Sequence, residues 1–235
     1  MENQRYVSDE LTHFVGRRHG REPDGEECQY RLLVDILRSG LLGTQSQVFA
    51  GPSKDQRFSD NQYYKADMVC FSDIPVADLA IHMGKFSRFG LAFNKSFLIE
   101  RGANPVFYVA RNSMAKLAHG QTRRRDEYFD QWHEKIWDYF GEVMDAHATG
   151  GEGEDTREIR RLLGFLVYHF FNFVKFYDQG LAADHPENFY MEREWRIFGN
   201  LGFELDSVRR VIFPEKFARR FRADLPEYYG AIIFS

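Results

Sequence analysis

The hydrophobic residues of the chain fall into short apolar runs near both ends, with a block of helical spacing between them. The short runs are bounded by Gly, Pro or polar residues and predict strands at 11–15, 68–72, 89–93, 106–110, 194–198, 208–213 and 231–234. Strands before and after a helical block indicate an α+β fold with a mixed or antiparallel sheet. Strands and helices do not alternate regularly, so a Rossmann-type sheet is not expected.

Apolar residues spaced three and four positions apart predict the helices. The first helix spans 27–39 and ends before Gly40, the usual residue after a helix C-terminus. Shorter helices are predicted from 76 to about 85 and from about 214 to 222. A longer amphipathic helix is indicated by Phe129, Trp132, Ile136, Phe140 and Val143.

The segment 162–177, LLGFLVYHFFNFVKFY, is apolar almost all round and predicts a helix that is buried on most sides. Asp155 or Thr156 can cap its N-terminus, and Gly180 can close it. Residues 149–155 are rich in glycine and acids, which predicts an exposed loop between two helices rather than a domain boundary.

No internal repeat or long linker divides the 235 residues. We therefore predict a single α+β domain over 1–235, with a helical insertion at about 112–180. The segment 43–66 is polar and irregular, and loops of this length tend to be functional or mobile.

Composition and charge narrow the class of protein. Hydrophobic residues make up 43% of the chain and aromatic residues 16%, enough for a core that needs no disulfide or metal. The net charge of −4 gives no electrostatic drive toward nucleic acid or anionic lipid. The N-terminus has no apolar signal core, and no stretch approaches 18 uninterrupted apolar residues. We expect a cytoplasmic protein with no membrane partner, in which Cys28 and Cys70 are reduced and buried rather than paired.

Several motifs of common enzyme classes are absent from the sequence. It contains no Walker A pattern, no G-x-G-x-x-G, no G-x-S-x-G, no cysteine pair with zinc-finger spacing and no H-x-x-x-H. No motif therefore supports a kinase, hydrolase or metalloprotease function, and we predict no metal site.

Three separated segments carry polar groups that can meet in one site. His13 lies in the first strand, Ser72 ends the strand at 68–72, and Glu192 and Glu194 form an E-x-E at the start of a late strand. Two carboxylates at i and i+2 on an extended backbone point to the same side. A carboxylate there can accept a hydrogen bond from a ribose hydroxyl and stabilise the oxocarbenium-like cation that forms as nicotinamide leaves NAD.

This chemistry makes NAD the predicted substrate. The catalytic candidates are Glu194, Glu192 and Ser72. The NAD-binding candidates are His13, which can bind a ribose, and three aromatic residues that can stack on nicotinamide: Tyr64, Phe89 and Phe93.

Each candidate also has a purely structural interpretation. His13 can be a core histidine that bonds a backbone carbonyl, and Ser72 and Asp73 can form a turn and a helix cap. The acid pair alternates with Arg193 and Arg196, which is typical of a solvated, ion-paired strand edge.

A His in the first strand, a Ser after a middle strand and a Glu in a late E-x-E strand together resemble the ADP-ribosyltransferase superfamily. The resemblance implies a split sheet with flanking helices, in which His13 holds NAD, Ser72 braces the site and Glu194 is the catalytic acid. Glu192 would be the first acid of the pair. The usual Ser-Thr-Ser triplet is replaced here by Phe71-Ser72-Asp73.

A second resemblance covers most of the chain. The strings HF…ILRSG, VCFSDIP, FGLAF, PVFYV and EREWRIFG together resemble the bacterial abortive-infection AbiGi family. That family is linked to phage defence and described as the antitoxin half of a two-protein system, whose partner is a nucleotidyltransferase-like toxin. The resemblance implies a phage-defence protein, which we interpret as having a core that transfers ADP-ribose or hydrolyses NAD. The alternative is a non-enzymatic antitoxin or regulator that binds a partner toxin or a phage component.

Nucleic acid stays open as a partner because of the basic run Arg123, Arg124 and Arg125. The run lies at a predicted helix start and is followed at once by acids, and the net charge is negative. We do not favour this partner.

Overall fold

The computed structural model describes residues 8–43, 56–61, 63–64, 67–117, 120–148, 154–182 and 184–235. The helices in these ranges are α1 (Gly25–Ser39), α2 (Ala80–Lys85), α3 (Lys95–Ile99), α4 (Arg125–Ala148), α5 (Glu154–Phe165) and α6 (Ala218–Asp224). The strands of the first half are β1 (Glu10–Phe14), β2 (Leu41–Leu42), β3 (Met68–Ser72), β4 (Gly90–Asn94), β5 (Asn104–Pro105), β6 (Phe107–Ala110), β7 (Met114–Lys116) and β8 (Thr122–Arg124). Those of the second half are β9 (Val174–Tyr177), β10 (Glu194–Phe198), β11 (Leu201–Gly202), β12 (Val208–Phe213) and β13 (Ala231–Phe234).

Seven strands form the main sheet, in the order β13-β12-β4-β1-β3-β10-β5. Strands β12 and β13 run parallel, and the other neighbours are antiparallel. The predicted α+β class with a mixed sheet is therefore confirmed. The strands predicted at 194–198, 208–213 and 231–234 have the observed bounds.

The middle of the main sheet is joined through a single pair of residues. Strand β1 pairs with β4 over five positions and β3 with β10 over five, whereas β1 and β3 pair only as Thr12 with Ser72. Ser72 in turn lies opposite Glu194. Residues directly opposite one another share a face of the sheet, so Thr12, Ser72 and Glu194 form one row across three strands.

The largest core cluster contains one face of the main sheet together with α1 and α6. Leu11, Leu91 and Phe213 have no accessible surface, and Tyr30 of α1 is equally buried. The Tyr30 ring stacks on Phe217 with centroids 4.6 Å apart, and its hydroxyl donates to Asp224 Oδ2 over 2.6 Å. These contacts fix α1 and α6 against the same side of the sheet.

Gly40 ends α1 as predicted. Its φ of 62° is left-handed, and its N–H donates to the carbonyl of Ile36. A Cβ at this position would also lie 2.4 Å from the carbonyl oxygen of Phe203. Glycine is therefore required here for both backbone conformation and space.

A second core cluster lies around β9 and α4. Phe176 and Val174 of β9 pack with Phe58, Val109 and Phe171, and half-buried residues of α4 and α5 cover them. Strand β9 pairs in parallel with β6. This two-stranded ribbon is separate from the main sheet, and the Lys175 side chain of β9 extends to Glu194 of β10 in that sheet.

The helix predicted over 162–177 is wrong. Helix α5 ends at Phe165, a π-helical turn spans Leu166–Phe170, a 3-10 turn spans Phe171–Phe173, and β9 follows. The segment is also not buried on most sides, because Leu162, Phe165, Tyr168 and Phe170 are exposed. Gly180 is predicted to end this helix, but β9 precedes it instead.

Several smaller predictions have mixed outcomes. The amphipathic helix around Phe129–Val143 is confirmed as part of α4. Residues 149–153 of the predicted loop lie outside the described residues, as does most of 43–66. The basic run does lie at a helix start, because α4 begins at Arg125; Arg123 and Arg124 end β8, and Arg124 pairs with Asp126. No helix within the described ranges has both the length and the apolar character that a membrane span requires.

Candidate functional site

A pocket of about 330 Å³ opens beside the single β1–β3 pair. Because the two strands pair only at Thr12 and Ser72, side chains from β1, β3 and β10 all reach it. The rest of its wall comes from the 3-10 turn that begins at Arg17, the end of α2, β9 and the turn around residue 190. The lining residues are Thr12, His13, Phe14, Arg17, Cys70, Phe71, Ser72, Phe86, Lys175, Phe189, Glu192 and Glu194.

Four of the predicted site residues meet in this pocket. His13, Ser72, Glu192 and Glu194 come from positions up to about 180 residues apart and all line the same cavity. The geometric part of the sequence prediction, a shared pocket for these four residues, agrees with the structure. Their roles in chemistry stay predictions.

His13 lies half-buried where β1 and β3 diverge. Its Nδ1–H donates to the carbonyl of Cys70 over 2.8 Å, and its ring meets Phe71 edge-on. Burial lowers the pKa of His13, and the bond to Cys70 only partly opposes this. A neutral ring that donates through Nδ1 keeps Nε2 as an acceptor. The bond of the structural interpretation is present, but His13 also lines the pocket.

Glu194 is buried, and cations bind both of its carboxylate oxygens. Arg196 Nε donates to Oε1 over 2.8 Å, and Lys175 Nζ donates to Oε2 over 2.5 Å. Burial alone would raise the pKa of this carboxyl, but Arg196 and Lys175 outweigh it and lower the pKa to about 2. The backbone N–H of Glu194 donates to the hydroxyl of Tyr108 over 2.7 Å.

Glu192 shares a cation with Glu194. Its carboxylate accepts from Lys175 Nζ over 2.6 Å and pairs with Lys85 Nζ over 2.9 Å. The backbone between the two acids is not extended as predicted, because Arg193 has a left-handed φ of 43° after a 3-10 turn. This bend, not a strand pleat, brings both carboxylates to Lys175.

Together these residues form a buried ion network of two acids and three cations: Glu192, Glu194, Lys85, Lys175 and Arg196. The interpretation of E-x-E as a solvated, ion-paired strand edge is correct for the ion pairs and wrong for the solvated edge. The pairs exist, but β10 lies between β3 and β5, and both carboxylates are almost completely buried.

Lys175 and Arg196 are functional candidates that sequence reasoning missed. The sequence pattern predicts a solvated Arg196 and places Lys175 inside the helix predicted over 162–177. A lysine within a run of 16 mostly apolar residues is a signal that could have identified it, because a buried lysine needs an acidic partner.

The two cysteines are free, as predicted, but they are not buried as predicted. Cys28 is half-buried, and Cys70 is exposed to the pocket while protein surrounds it. Burial among protein atoms, together with the nearby Glu194 charge, raises the pKa of the Cys70 thiol to about 12. Cys70 is therefore a neutral thiol at the pocket wall and not an activated nucleophile.

The three predicted stacking residues do not line the pocket. Phe89 and Phe93 have no accessible surface in the main core, so neither ring has a face free for a ligand. Tyr64 packs in the second core cluster, where its hydroxyl donates to His133 Nε2 over 2.5 Å. The aromatic rings that do reach the pocket are Phe14, Phe71, Phe86 and Phe189.

The burial of His133 predicts a pH-dependent stability. Burial lowers the pKa of His133 from 6.5 to about 4. Below pH 6.5, His133 gains a proton in the unfolded chain, whereas in the folded protein it stays neutral until the pH approaches 4. The free energy of unfolding therefore has its full value above pH 6.5 and decreases as the pH falls toward 4. We expect up to about 3 kcal/mol of unfolding free energy to disappear over this window.

Urea unfolding of the His133→Gln variant between pH 7.5 and 4.5 tests this expectation. The variant should show a flatter pH profile than the wild type, whereas His169→Gln, at an exposed position, should keep the wild-type profile. Parallel profiles for wild type and His133→Gln would contradict the assignment.

Three side chains away from the pocket have the geometry of metal ligands. Among the described residues, ligand atoms of His19, Glu22 and Cys28 lie within 4.8 Å of one another near the start of α1. His19 Nδ1 and Glu22 Oε2 are 3.1 Å apart. The sequence predicts no metal site because these three residues match neither the zinc-finger cysteine spacing nor H-x-x-x-H.

A family model described as "Putative abortive phage resistance protein AbiGi, antitoxin" matches residues 54–224, well over half of the chain. The chain belongs to the AbiGi family. The part that matches AbiGi contains Ser72, Lys175 and both acids of the pocket, and His13 precedes it.

Two solved structures are similar to this AbiGi protein. Both are DarT from Thermus sp. 2.9, at 14% identity. The complex with carba-NAD+ has a TM-score of 0.35 and covers 97% of this chain and 95% of that chain. The complex with NAD+ has a TM-score of 0.36 and covers 96% and 95%. At these TM-scores the likeness decides neither fold nor ligand. No curated protein sequence matches the chain.

Proposed function

We propose that this AbiGi protein is a cytoplasmic phage-defence protein with an ADP-ribosyltransferase-like core, which binds NAD and transfers ADP-ribose or hydrolyses NAD. The observation that carries the proposal is the meeting of His13, Ser72, Glu192 and Glu194 in one pocket. These residue types match the needs of glycosidic-bond cleavage in NAD.

Each group has a distinct task in this proposal. The acceptor Nε2 of His13 and the hydroxyl of Ser72 bind ribose hydroxyls. As the bond between ribose and nicotinamide breaks, its electron pair leaves with the nicotinamide nitrogen and positive charge develops on the ribose. The Glu194 carboxylate stabilises that charge. Water or a protein nucleophile then bonds to the ribose carbon and loses a proton.

The surroundings of the pocket suit the remainder of a dinucleotide. A neighbouring cavity of about 840 Å³ shares Arg17 and Phe86 with the pocket. Its charged lining residues are three cations and one acid: Arg17, Arg18, Lys85 and Asp184. Arginine and lysine favour phosphate, so a diphosphate that leaves the pocket past Arg17 would meet cations.

The test is incubation of the purified protein with nicotinamide-labelled NAD, alone, with the protein encoded beside it, and with a phage lysate. We expect release of labelled nicotinamide in at least one of these conditions. If NAD neither binds nor turns over in any of them, the proposal is wrong.

A second candidate function is a non-enzymatic antitoxin that binds a partner toxin. The observation that favours it is that Lys175 and Arg196 bind both oxygens of Glu194 and neutralise its charge. The description of the family as an antitoxin agrees with it. Neutralisation of a neighbouring toxin by a Glu194→Gln variant, with co-purification of the two proteins, would support this function over the enzymatic one.

A further inference from the structure

We propose that Lys175 sets the charge preference of the pocket: it neutralises the Glu192–Glu194 pair from inside, so that the resting protein binds a dinucleotide with a neutral ring better than one with a cationic ring. The inference rests on the proposed function, because it takes a nicotinamide dinucleotide as the ligand. It adds which redox form the site accepts and which residue decides this.

Lys175 occupies the position that a ligand's positive charge would need. Its Nζ lies 2.6 Å from Glu192 Oε2 and 2.5 Å from Glu194 Oε2. The side chain is 10% exposed and lines the pocket. The same ammonium lies 4.5 Å from the centroid of the Phe189 ring. A lysine held by two carboxylates and an aromatic face already makes the contacts that a cationic ring would make.

The charge count of the site follows from the network. Two carboxylates face three cations, Lys85, Lys175 and Arg196, so the group carries a surplus of one positive charge. Arg17 adds a further positive charge at the pocket wall. In a partly buried site such charges are weakly screened, so a cationic ring beside Glu194 is disfavoured.

Removal of the Lys175 charge leaves each acid with another cation. Glu192 keeps Lys85 at 2.9 Å, and Glu194 keeps Arg196 at 2.8 Å. Lys175 also comes from β9, which pairs with β6 outside the main sheet, whereas Arg196 is part of the main sheet itself. Loss of the Lys175 charge brings the network from a surplus of one to neutrality.

NAD+ and NADH separate this effect from shape. The two have the same skeleton apart from a hydride on the nicotinamide ring, which carries a positive charge in NAD+ and none in NADH. ADP-ribose lacks the ring and reports on the rest of the binding surface. The ratio of the dissociation constants for NAD+ and NADH therefore measures how strongly the site discriminates by the charge of the nicotinamide ring.

The experiment is calorimetric titration of these three ligands into the wild type, Lys175→Met and Lys175→Gln. Glutamine keeps N–H donors for the two carboxylates and serves if the methionine variant does not fold. The matched control is Lys95→Met, because Lys95 also pairs with an acid, Asp73, that keeps a nearby arginine, Arg193.

We expect the wild type to bind NADH more tightly than NAD+, and the ratio of the two constants to move toward NAD+ by about tenfold or more when the Lys175 charge is lost. Lys95→Met should keep the wild-type ratio. An unchanged ratio in both Lys175 variants, with ADP-ribose still bound, would overturn this inference alone. Failure of all three ligands to bind the folded wild type would overturn the proposed function, and this inference with it.

Discussion

Replacement of Arg196 by methionine is expected to lower the free energy of unfolding by about 3 to 5 kcal/mol. Arg196 donates to both oxygens of Glu194 and to the backbone carbonyl of Asn172, and its side chain is only 15% exposed. Methionine fills similar space but leaves one carboxylate oxygen and one carbonyl without this donor. Removal of one partner from a buried ion pair costs far more than the pair itself contributes.

The chain offers a matched control on the same sheet. Arg210 also makes a two-point contact with a glutamate, Glu10, over 2.9 and 3.2 Å, but that pair is more exposed. Arg210→Met should therefore cost roughly 1 kcal/mol or less. Chemical denaturation of both variants at pH 7 gives the comparison, and equal losses would show that burial of the Glu194 network does not stabilise the fold as described.

The substitution Glu194→Gln is expected to reduce nicotinamide release from NAD by roughly a hundredfold or more. Glutamine keeps the shape and a carbonyl acceptor, but it cannot stabilise positive charge on the ribose. The loss should appear both in the wild-type background and in Lys175→Met, where Glu194 has lost one of its two cations. Lys175→Met alone should raise NAD turnover, because the acid is then less neutralised.

Glu10→Gln is the control for this activity measurement. Glu10 pairs with Arg210 on the same sheet and does not line the pocket, so its variant should turn over NAD at the wild-type rate. A thermal melt of each variant shows that the fold is retained. Full nicotinamide release by folded Glu194→Gln would remove Glu194 from the chemistry.

The strands that place the acids could be predicted because their boundaries are local. Glu194–Phe198 and Val208–Phe213 are short apolar runs with polar or proline flanks, and the structure has the same bounds. The meeting of His13, Ser72 and Glu194 could be predicted only by resemblance to a superfamily, because strand order is not written in any one segment.

The segment that carries Lys175 could not be predicted in the same way. In LLGFLVYHFFNFVKFY nearly every position is apolar, so neither a helical nor a strand period stands out. Pairing of Val174–Tyr177 with β6 decides in favour of a strand, and this partner lies more than 60 residues earlier in the chain. The wrong helix therefore hid the one buried lysine that both acids share.

The aromatic residues that line the pocket could not be predicted for a related reason. Strand β4 is buried on both faces, with Gly90, Leu91, Ala92 and Phe93 all enclosed. A strand of that kind gives no sign of which face meets a pocket. Phe93 points into the main core, and two of the four rings that reach the pocket, Phe86 and Phe189, come from segments outside the main sheet.

The central claim is that a nicotinamide dinucleotide binds where β1 and β3 diverge, and a crystal structure of the wild-type protein with NADH tests it most directly. The account predicts ligand density in the pocket, with a ribose within hydrogen-bond distance of His13 or Ser72 and the neutral ring near Lys175 and Glu194. NADH bound at another surface, with this pocket filled only by water, would contradict it.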